Sequence, residues 1–271
     1  MEICVLGPLT AEIDGGSFLP SAAKPRQILA LLGVHANQIV PVPMLMEEIW
    51  GTEFPRTALT TLQTYILQLR KLIASSQQSG VSAKDVLVTR HGGYMLQLPG
   101  AGIDTHDYEQ RAQAGKRALE RGDCEDAALQ LRGALDLWRG PAMVDMRLGS
   151  ILEVEANRLE ESRLGVLERR IESDLRLGRH ADVLTELAAV TARQPWHEGF
   201  IAQQMVALYR CGRQPHALDS FQRQRDRMID ELGLEPSARL QRLHQAILAS
   251  DSALDPSQAM RPGPVIDLYA A

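Results

Sequence analysis

The chain has 271 residues, of which 45% are hydrophobic and 4% aromatic, and its net charge is −5. This composition is typical of about two globular domains packed from Leu/Ala-rich helices rather than from a β-sandwich. No run approaches the ~18 apolar residues of a membrane span, and the start lacks the features of a signal peptide. Three cysteines without paired spacing favour a reduced protein, so we expect a cytoplasmic protein without membrane contact.

The first residues predict a small sheet followed by two helices. Short apolar strands lie on either side of Gly7-Pro8, and Asp14-Gly15-Gly16 turns the chain. A helix opens at Lys24-Pro25 with proline in its first turn. Its predicted buried side contains Ile28, Leu29, Leu31, Leu32 and His35. A second, short helix begins at Pro43 and stops at Gly51.

A third, longer helix begins near Thr57 and has two contrasting faces. Apolar residues recur at steps of three and four, which predicts one buried face: Leu59, Leu62, Ile66, Leu69 and Ile73. The opposite face carries Thr57, Thr60, Thr61, Thr64, Gln68 and Lys71. Hydroxyls, an amide and a cation replace the Glu and Lys pairs of an ordinary surface helix. Such groups can hydrogen-bond base edges and touch thymine methyls in a major groove, so we expect a DNA-reading helix.

A predicted hairpin follows this helix. Residues 86–90 and 94–98 are β-rich and flank a His91-Gly92-Gly93 turn. Together these elements predict a winged helix-turn-helix domain over residues 1–99. The domain is neutral, but its cations concentrate in residues 56–90, where Asp85 is the one acid. Because affinity grows with the phosphates neutralised, we expect weak binding by one copy and a need for paired copies or a protein partner.

The remainder of the chain predicts a second, helical domain. Residues 100–104 are assigned to a linker because Pro99-Gly100-Ala101-Gly102 is the clearest break. Glycine turns recur at Gly122, Gly178 and Gly212, and the last two are 34 residues apart (212 − 178), the tetratricopeptide period. Residues 105–250 therefore predict an all-α tetratricopeptide-like domain, and residues 251–271 a flexible tail. The predicted fold class is mainly α.

No motif of catalysis or cofactor binding accompanies this pattern. The histidines lack H-E-x-x-H spacing, and no phosphate-binding loop or G-x-S-x-G sequence occurs. We therefore expect no metal, no cofactor and no enzymatic activity. Trp50 and Trp138 favour core packing over base stacking. The alternative is a helical-repeat scaffold or effector-binding protein without direct DNA readout, which would not need a Thr/Gln/Lys face beside Arg90.

Several segments together resemble the Streptomyces antibiotic regulatory protein family of transcriptional activators. They are LGPL at residues 6–9, KPRQILALL at 24–32, LMEEIWG at 45–51, LQTYILQLRK at 62–71 and TRHGGY at 89–94. The resemblance covers about residues 1–250 and is closest to the family's small members. It implies an OmpR/PhoB-like winged-helix domain followed by a tetratricopeptide-like bacterial transcriptional activation domain. It also implies binding to tandem direct repeats beside the −35 element of antibiotic-biosynthesis promoters, by two copies that recruit RNA polymerase through its σ subunit.

The resemblance also implies which residues of this chain contact DNA. The predicted DNA-binding set is Thr57, Thr60, Thr61, Thr64, Tyr65, Gln68, Arg70, Lys71 and Arg90. Arg90 matches a wing residue that enters the minor groove in the relatives. Those relatives often carry arginine in mid-helix where this chain has Leu67 and Gln68, which favours base contact over phosphate contact here. Because glutamine pairs bidentately with adenine, we expect A·T pairs opposite Gln68 and Thr64.

Overall fold

The structure is a computed structural model that describes residues 1–76, 82–98 and 102–254. It opens with strands β1 (Glu2–Cys4), β2 (Thr10–Ile13) and β3 (Gly16–Ser17), which form an antiparallel sheet in that order. Helix α1 (Ala23–Val34), strand β4 (Val40–Pro41) and helices α2 (Val42–Trp50) and α3 (Ala58–Ser76) follow. A short helix α4 (Ala83–Val86) then leads into β5 (Leu87–Arg90) and β6 (Gly93–Leu96). The second sheet has the antiparallel order β4-β6-β5.

The rest of the described chain is helical. Its helices are α5 (Asp104–Glu120), α6 (Cys124–Leu135), α7 (Ser150–Arg176), α8 (Leu184–Arg193), α9 (Glu198–Arg210), α10 (Gln214–Leu232) and α11 (Ala238–Leu248), with a 3-10 turn at Ser252–Leu254. The predicted glycine turns lie at the ends of α5, α7 and α9. Gly122, Gly178 and Gly212 have φ of +79°, +80° and +73°, a conformation that glycine adopts without a steric penalty. Among the described residues, no helix has both the length and the apolar character to cross a bilayer.

The chain divides into two compact units. The first unit contains residues 1–111 and 133–164, and the second contains residues 112–132 and the described part of 165–271. The first unit therefore includes residues that the sequence assigns to the helical domain. Its buried core includes Ile3 of β1, Phe18 directly after β3, Leu45 of α2 and Leu62 of α3. In the second unit, α9, α10 and α11 enclose a core around Met205, Phe221, Leu243 and Ile247.

Several predicted boundaries shift in the structure. Val86 ends α4 instead of opening β5. His35 is the half-buried C-cap of α1 and does not belong to its buried side. Of the predicted linker, residues 100 and 101 lie outside the described residues, whereas Gly102 accepts a hydrogen bond from the backbone N–H of Ile3 at 2.8 Å. That bond fixes the end of the linker beside β1.

The first residues of the predicted tail belong to the packed helical segment. Leu254 is fully buried in the core of the second unit, and its carbonyl accepts a hydrogen bond from Arg210 Nε at 2.8 Å. Residues 252–254 therefore extend the helical segment, because burying a leucine stabilises the turn that carries it. The rest of the predicted tail, from residue 255 onward, lies outside the described residues.

Candidate nucleic-acid interface

Helix α3 has one buried face and one exposed face. Its buried side chains are Ala58, Leu62, Ile66, Leu69 and Ile73. The predicted contact residues that are exposed on α3 or just before it are Thr57, Thr60, Thr64, Gln68 and Lys71. Thr61 and Tyr65 are half-buried on the flank between the two faces. The helix thus presents a polar strip in which hydroxyls, an amide and an ammonium group are accessible together.

Leu59 departs from the predicted pattern. The spacing places it in the buried stripe, but its side chain is 48% exposed. At about 100° per residue, Leu59 lies about 60° round the helix from Leu62, at the border of the stripe. Ala58, about 40° from Leu62 on the other side, is 1% exposed and occupies the inward position. The sequence pattern was wrong here because it ignored small residues.

The hydroxyl of Thr64 has a defined hydrogen-bond role. Its Oγ1 donates to the backbone carbonyl of Thr60, four residues earlier, at 3.0 Å. The segment that carries these threonines has no carboxylates of its own, since the sequence has no Asp or Glu from residue 54 to residue 84. An acid-free strip with exposed Lys71 favours contact with a polyanion.

The hairpin of β5 and β6 forms the predicted wing. Arg90 pairs with Gly93 across the hairpin and is exposed beside the turn. Strand β4 supports the wing beside its turn, since Val40 pairs with Tyr94 and Val42 donates its backbone N–H to the Gly92 carbonyl at 2.9 Å. The exposed cation is thus carried on a backbone that is paired on its inner side.

Arg70 links the wing to α3. Its Nε and Nη2 donate to the carbonyl oxygen of Leu87 at 2.9 Å and 2.7 Å. Its Nη2 also donates to Thr89 Oγ1 at 2.8 Å. The sequence places Arg70 among the DNA contacts, whereas the structure directs its half-buried guanidinium against β5. Periodicity could not reveal this link, because it joins residues 17 positions apart on different elements.

A buried carboxylate joins α2 to the start of α7 within the first unit. Glu48 is 2% exposed, and its carboxylate accepts backbone N–H bonds from Gly149 at 2.6 Å, Ile151 at 3.1 Å and Leu152 at 3.0 Å. These N–H groups have no partner inside the helix, and a negative charge there also complements the helix dipole. Burial raises the pKa of Glu48, and the three N–H donors offset part of that rise.

Two further carboxylates act in the same way. Asp104 accepts N–H bonds from Val5 at 2.9 Å and Leu6 at 3.0 Å, and burial raises its pKa. Asp145 accepts the N–H of Leu9 at 2.8 Å and pairs with Arg26. Sequence reasoning missed all three, because an acid that caps a distant backbone looks like a surface acid in a single sequence. Together they hold residues 102–111 and 133–164 of the first unit against the sheet and helices of its first hundred residues.

The tryptophans at the predicted core positions pack within the first unit. Trp138 is buried and meets Tyr108 edge to face, with 5.6 Å between ring centroids. The guanidinium of Arg163 lies over its ring at 4.5 Å. Trp50 is half-buried, and the ammonium of Lys24 lies 5.0 Å from its ring centroid. Neither ring is presented for stacking on a base.

The second unit contains a polar cleft of about 480 Å³. At its centre, the buried Asp174 carboxylate accepts from Arg170 Nη1 at 2.9 Å and from Arg179 Nη1 at 3.0 Å. Arg132 adds a third cation 3.4 Å from the same carboxylate, and Asp182 lines the cleft with a further acid. The lining is thus largely ion-paired, with little apolar surface for an effector.

Comparison with known proteins accounts for both parts of the chain. Residues 18–96 match the family described as transcriptional regulatory protein, C terminal, and residues 103–248 match the bacterial transcriptional activator domain. The chain is 51% identical to the regulatory protein DnrI of Streptomyces peucetius, over 100% of this chain and 98% of that protein. It is 34% identical to the transcriptional regulator RedD of Streptomyces coelicolor, over 96% of this chain and 74% of that one.

A solved structure supports the same assignment. Mycobacterium tuberculosis EmbR, determined in complex with a low affinity phosphopeptide, superposes with a TM-score of 0.87 at 31% identity and covers 96% of this chain and 67% of its own. The fold and the exposed strip of α3 define a winged-helix transcriptional regulator joined to a helical activator domain. The chain belongs to the Streptomyces antibiotic regulatory protein family. The predicted family and the predicted fold class are thereby confirmed.

Proposed function

We propose that this chain is a sequence-specific activator of an antibiotic-biosynthesis gene cluster. It binds tandem direct repeats beside the promoter −35 element and recruits RNA polymerase through the σ subunit. The observation that carries the proposal is the acid-free, exposed strip of α3, from Thr57 to Lys71, with the cationic wing beside it. The relatives' names, regulatory protein and transcriptional regulator, support the same activity.

Within this proposal the contact residues divide by chemistry. Gln68 pairs bidentately with adenine, and the threonines of the strip contact thymine methyls and base edges. Lys71 neutralises a phosphate, and Arg90 enters the minor groove from the wing. Tyr65 contributes from the flank, and Arg70 acts by positioning β5 through its bonds to Leu87.

The proposed function also divides along the chain. Residues 1–99 read DNA, and the acidic residues 105–250 contact a neighbouring copy and the polymerase. Since one copy offers few cations, two copies bind in tandem. Repeats spaced by a multiple of the helical turn place both copies on one side of the duplex.

A gel-shift experiment with the full chain tests the DNA-binding proposal. The probes are a promoter duplex with direct repeats and a duplex of scrambled sequence, each titrated at several salt concentrations. Gln68→Ala should reduce discrimination between the two probes, because it removes base pairing. Lys71→Ala should weaken binding to both and reduce the salt slope by about one. Lys116→Ala, which removes another exposed lysine, from α5, is the matched control and should change neither quantity.

The outcomes separate the competing functions. Undiminished discrimination by Gln68→Ala would refute base reading by that residue. If the wild-type chain binds neither probe, the helical-repeat scaffold becomes the better explanation. Recruitment of polymerase is tested separately, by transcription in vitro from a promoter whose repeats are shown by footprinting to be occupied. Occupied repeats without increased transcription would contradict that part of the proposal.

A further inference from the structure

An exposed leucine lies in the middle of the polar strip of α3. The side chain of Leu67 is 53% exposed. Thr64 and Lys71 are its neighbours one turn before and one turn after, at i−3 and i+4, and both are exposed. Leu67 therefore shares the surface that these two residues present. An aliphatic group is the odd member of a strip that is otherwise made of hydroxyls, an amide and an ammonium group.

A lone exposed apolar residue on a protein surface needs no explanation. Leu67 differs from such a residue because of where it lies. The surrounding segment has no acid from residue 54 to residue 84 and is therefore suited to contact a polyanion. Leu59 is a useful comparison for Leu67. Its side chain is similarly exposed, but it lies about 80° round the helix from Leu67. Only Leu67 of the two leucines stands between Thr64 and Lys71.

The major groove offers one apolar group to such a side chain, the C5-methyl of thymine. Cytosine presents an N4 amino group in the same region, and adenine and guanine present N7 with N6 or O6. A leucine placed against those polar atoms would displace their water without replacing the hydrogen bonds, which costs affinity. The side chain thus distinguishes thymine from the other bases by one methyl group.

We propose that Leu67 is a specificity-determining residue that packs on a thymine C5-methyl group in each bound repeat. The inference rests on the proposed DNA-binding function and adds a thymine contact by Leu67 to the contacts that the polar residues of the strip make. Because Leu67 follows Thr64 by one turn and directly precedes Gln68, the thymine lies beside the bases that those residues contact.

The test removes the methyl group from the DNA. Full-length protein first selects its sites from a duplex pool with a randomised centre, which supplies a defined probe. Each thymine of the selected repeat is then replaced, one at a time, by deoxyuridine, which pairs identically but lacks the C5-methyl. We expect one thymine in each repeat at which the replacement weakens wild-type binding about fourfold. That factor corresponds to ~0.8 kcal/mol for one buried methyl-sized group.

Two variants complete the test. In Leu67→Ala, the same replacement should have no further effect, because the partner of the methyl group is gone. Leu59→Ala removes the same atoms from a similarly exposed position and should keep the fourfold effect. Thermal unfolding controls for the fold, which an exposed leucine-to-alanine change on a helix should leave intact.

Each other outcome contradicts the inference. If no thymine is sensitive, or if Leu67→Ala keeps the sensitivity, Leu67 does not read a methyl group. If Leu67→Ala weakens the thymine and deoxyuridine duplexes equally, the leucine acts elsewhere, for example against a second copy. If the wild-type chain enriches no sequence at all, the proposed function itself is contradicted, and this result is distinguishable from a failure of the Leu67 inference alone.

Discussion

Removing the Glu48 carboxylate should destabilise the first unit. In Glu48→Ala, the backbone N–H groups of Gly149, Ile151 and Leu152 lose their acceptor. Hydrogen bonds to a charged group contribute ~1.5–3 kcal/mol each, so three bonds at the low end amount to ~4.5 kcal/mol. The cost of burying the carboxylate, which the raised pKa of Glu48 reflects, and water entering the vacated space offset part of this. We expect a net loss of ~2–3 kcal/mol in the free energy of unfolding.

The assay is urea unfolding of the full chain, combined with amide hydrogen exchange. A loss of this size lowers the Tm of a unit of this size by ~4–12 °C. Exchange should accelerate most at the first turn of α7, where the three N–H groups lie. Glu47→Ala is the matched control, because Glu47 is the exposed neighbour and its loss should change stability by less than ~0.5 kcal/mol. Unchanged stability and unchanged protection at α7 in Glu48→Ala would refute the reasoning.

The same residue predicts a dependence on pH. Burial raises the pKa of Glu48 in the folded chain, so the folded state holds the proton more tightly than the unfolded state does. The contribution of this group to stability is therefore greatest below the ordinary glutamate pKa and falls as the pH rises through the raised value. The stability of the wild-type chain relative to Glu48→Gln, which does not titrate, should increase on acidification. A difference that is constant or that shrinks on acidification would contradict the sign.

Three further substitutions test other parts of the structure. Arg70→Met keeps the length of the side chain but removes the donors to the Leu87 carbonyl, so exchange at the wing amides should accelerate and stability should fall by ~1–3 kcal/mol; unchanged wing protection would contradict the bracing role. Gly93→Ala would push a Cβ into the carbonyl of Val40, and the lower Tm that results from disrupting β4 and β6 is measurable by circular dichroism. Burial lowers the pKa of His180, so wild-type stability should fall as the pH drops below the ordinary histidine value, and His180→Leu should lose that part of the dependence in a pH series of Tm measurements.

The sequence predicted those features that depend on neighbours along the chain. The step pattern from Leu62 to Ile73 identified the buried face of α3, because helical periodicity is a local property. Glycine turns identified the helical segment for the same reason, since Gly178 and Gly212 adopt the conformation that their residue type favours. The outward strip of α3 followed directly, as the face left over after the core was assigned.

Features that depend on distant residues were not predictable. The sequence predicts that Asp104 lies in the linker. In the structure it is buried and accepts a hydrogen bond from the backbone N–H of Val5, 99 residues earlier. Arg70 was counted with the DNA contacts because a cation on a reading helix suggests a phosphate, and only the structure shows the Leu87 carbonyl within reach. The spacing of large apolar residues also could not show that Ala58, rather than Leu59, faces the core.

The hydrogen bond from Thr64 to the Thr60 carbonyl restricts what the Thr64 hydroxyl can offer to a ligand. While its proton is engaged there, the Thr64 oxygen offers lone pairs and no donor. A base that presents an amino hydrogen, adenine through N6 or cytosine through N4, can satisfy that oxygen. Guanine, which offers O6 and N7 to the major groove, and thymine, which offers O4 beside its methyl group, present this oxygen with acceptors and no donor. Under the proposed function, the intrahelical bond of 3.0 Å therefore favours adenine or cytosine over guanine or thymine as the hydrogen-bond partner of Thr64.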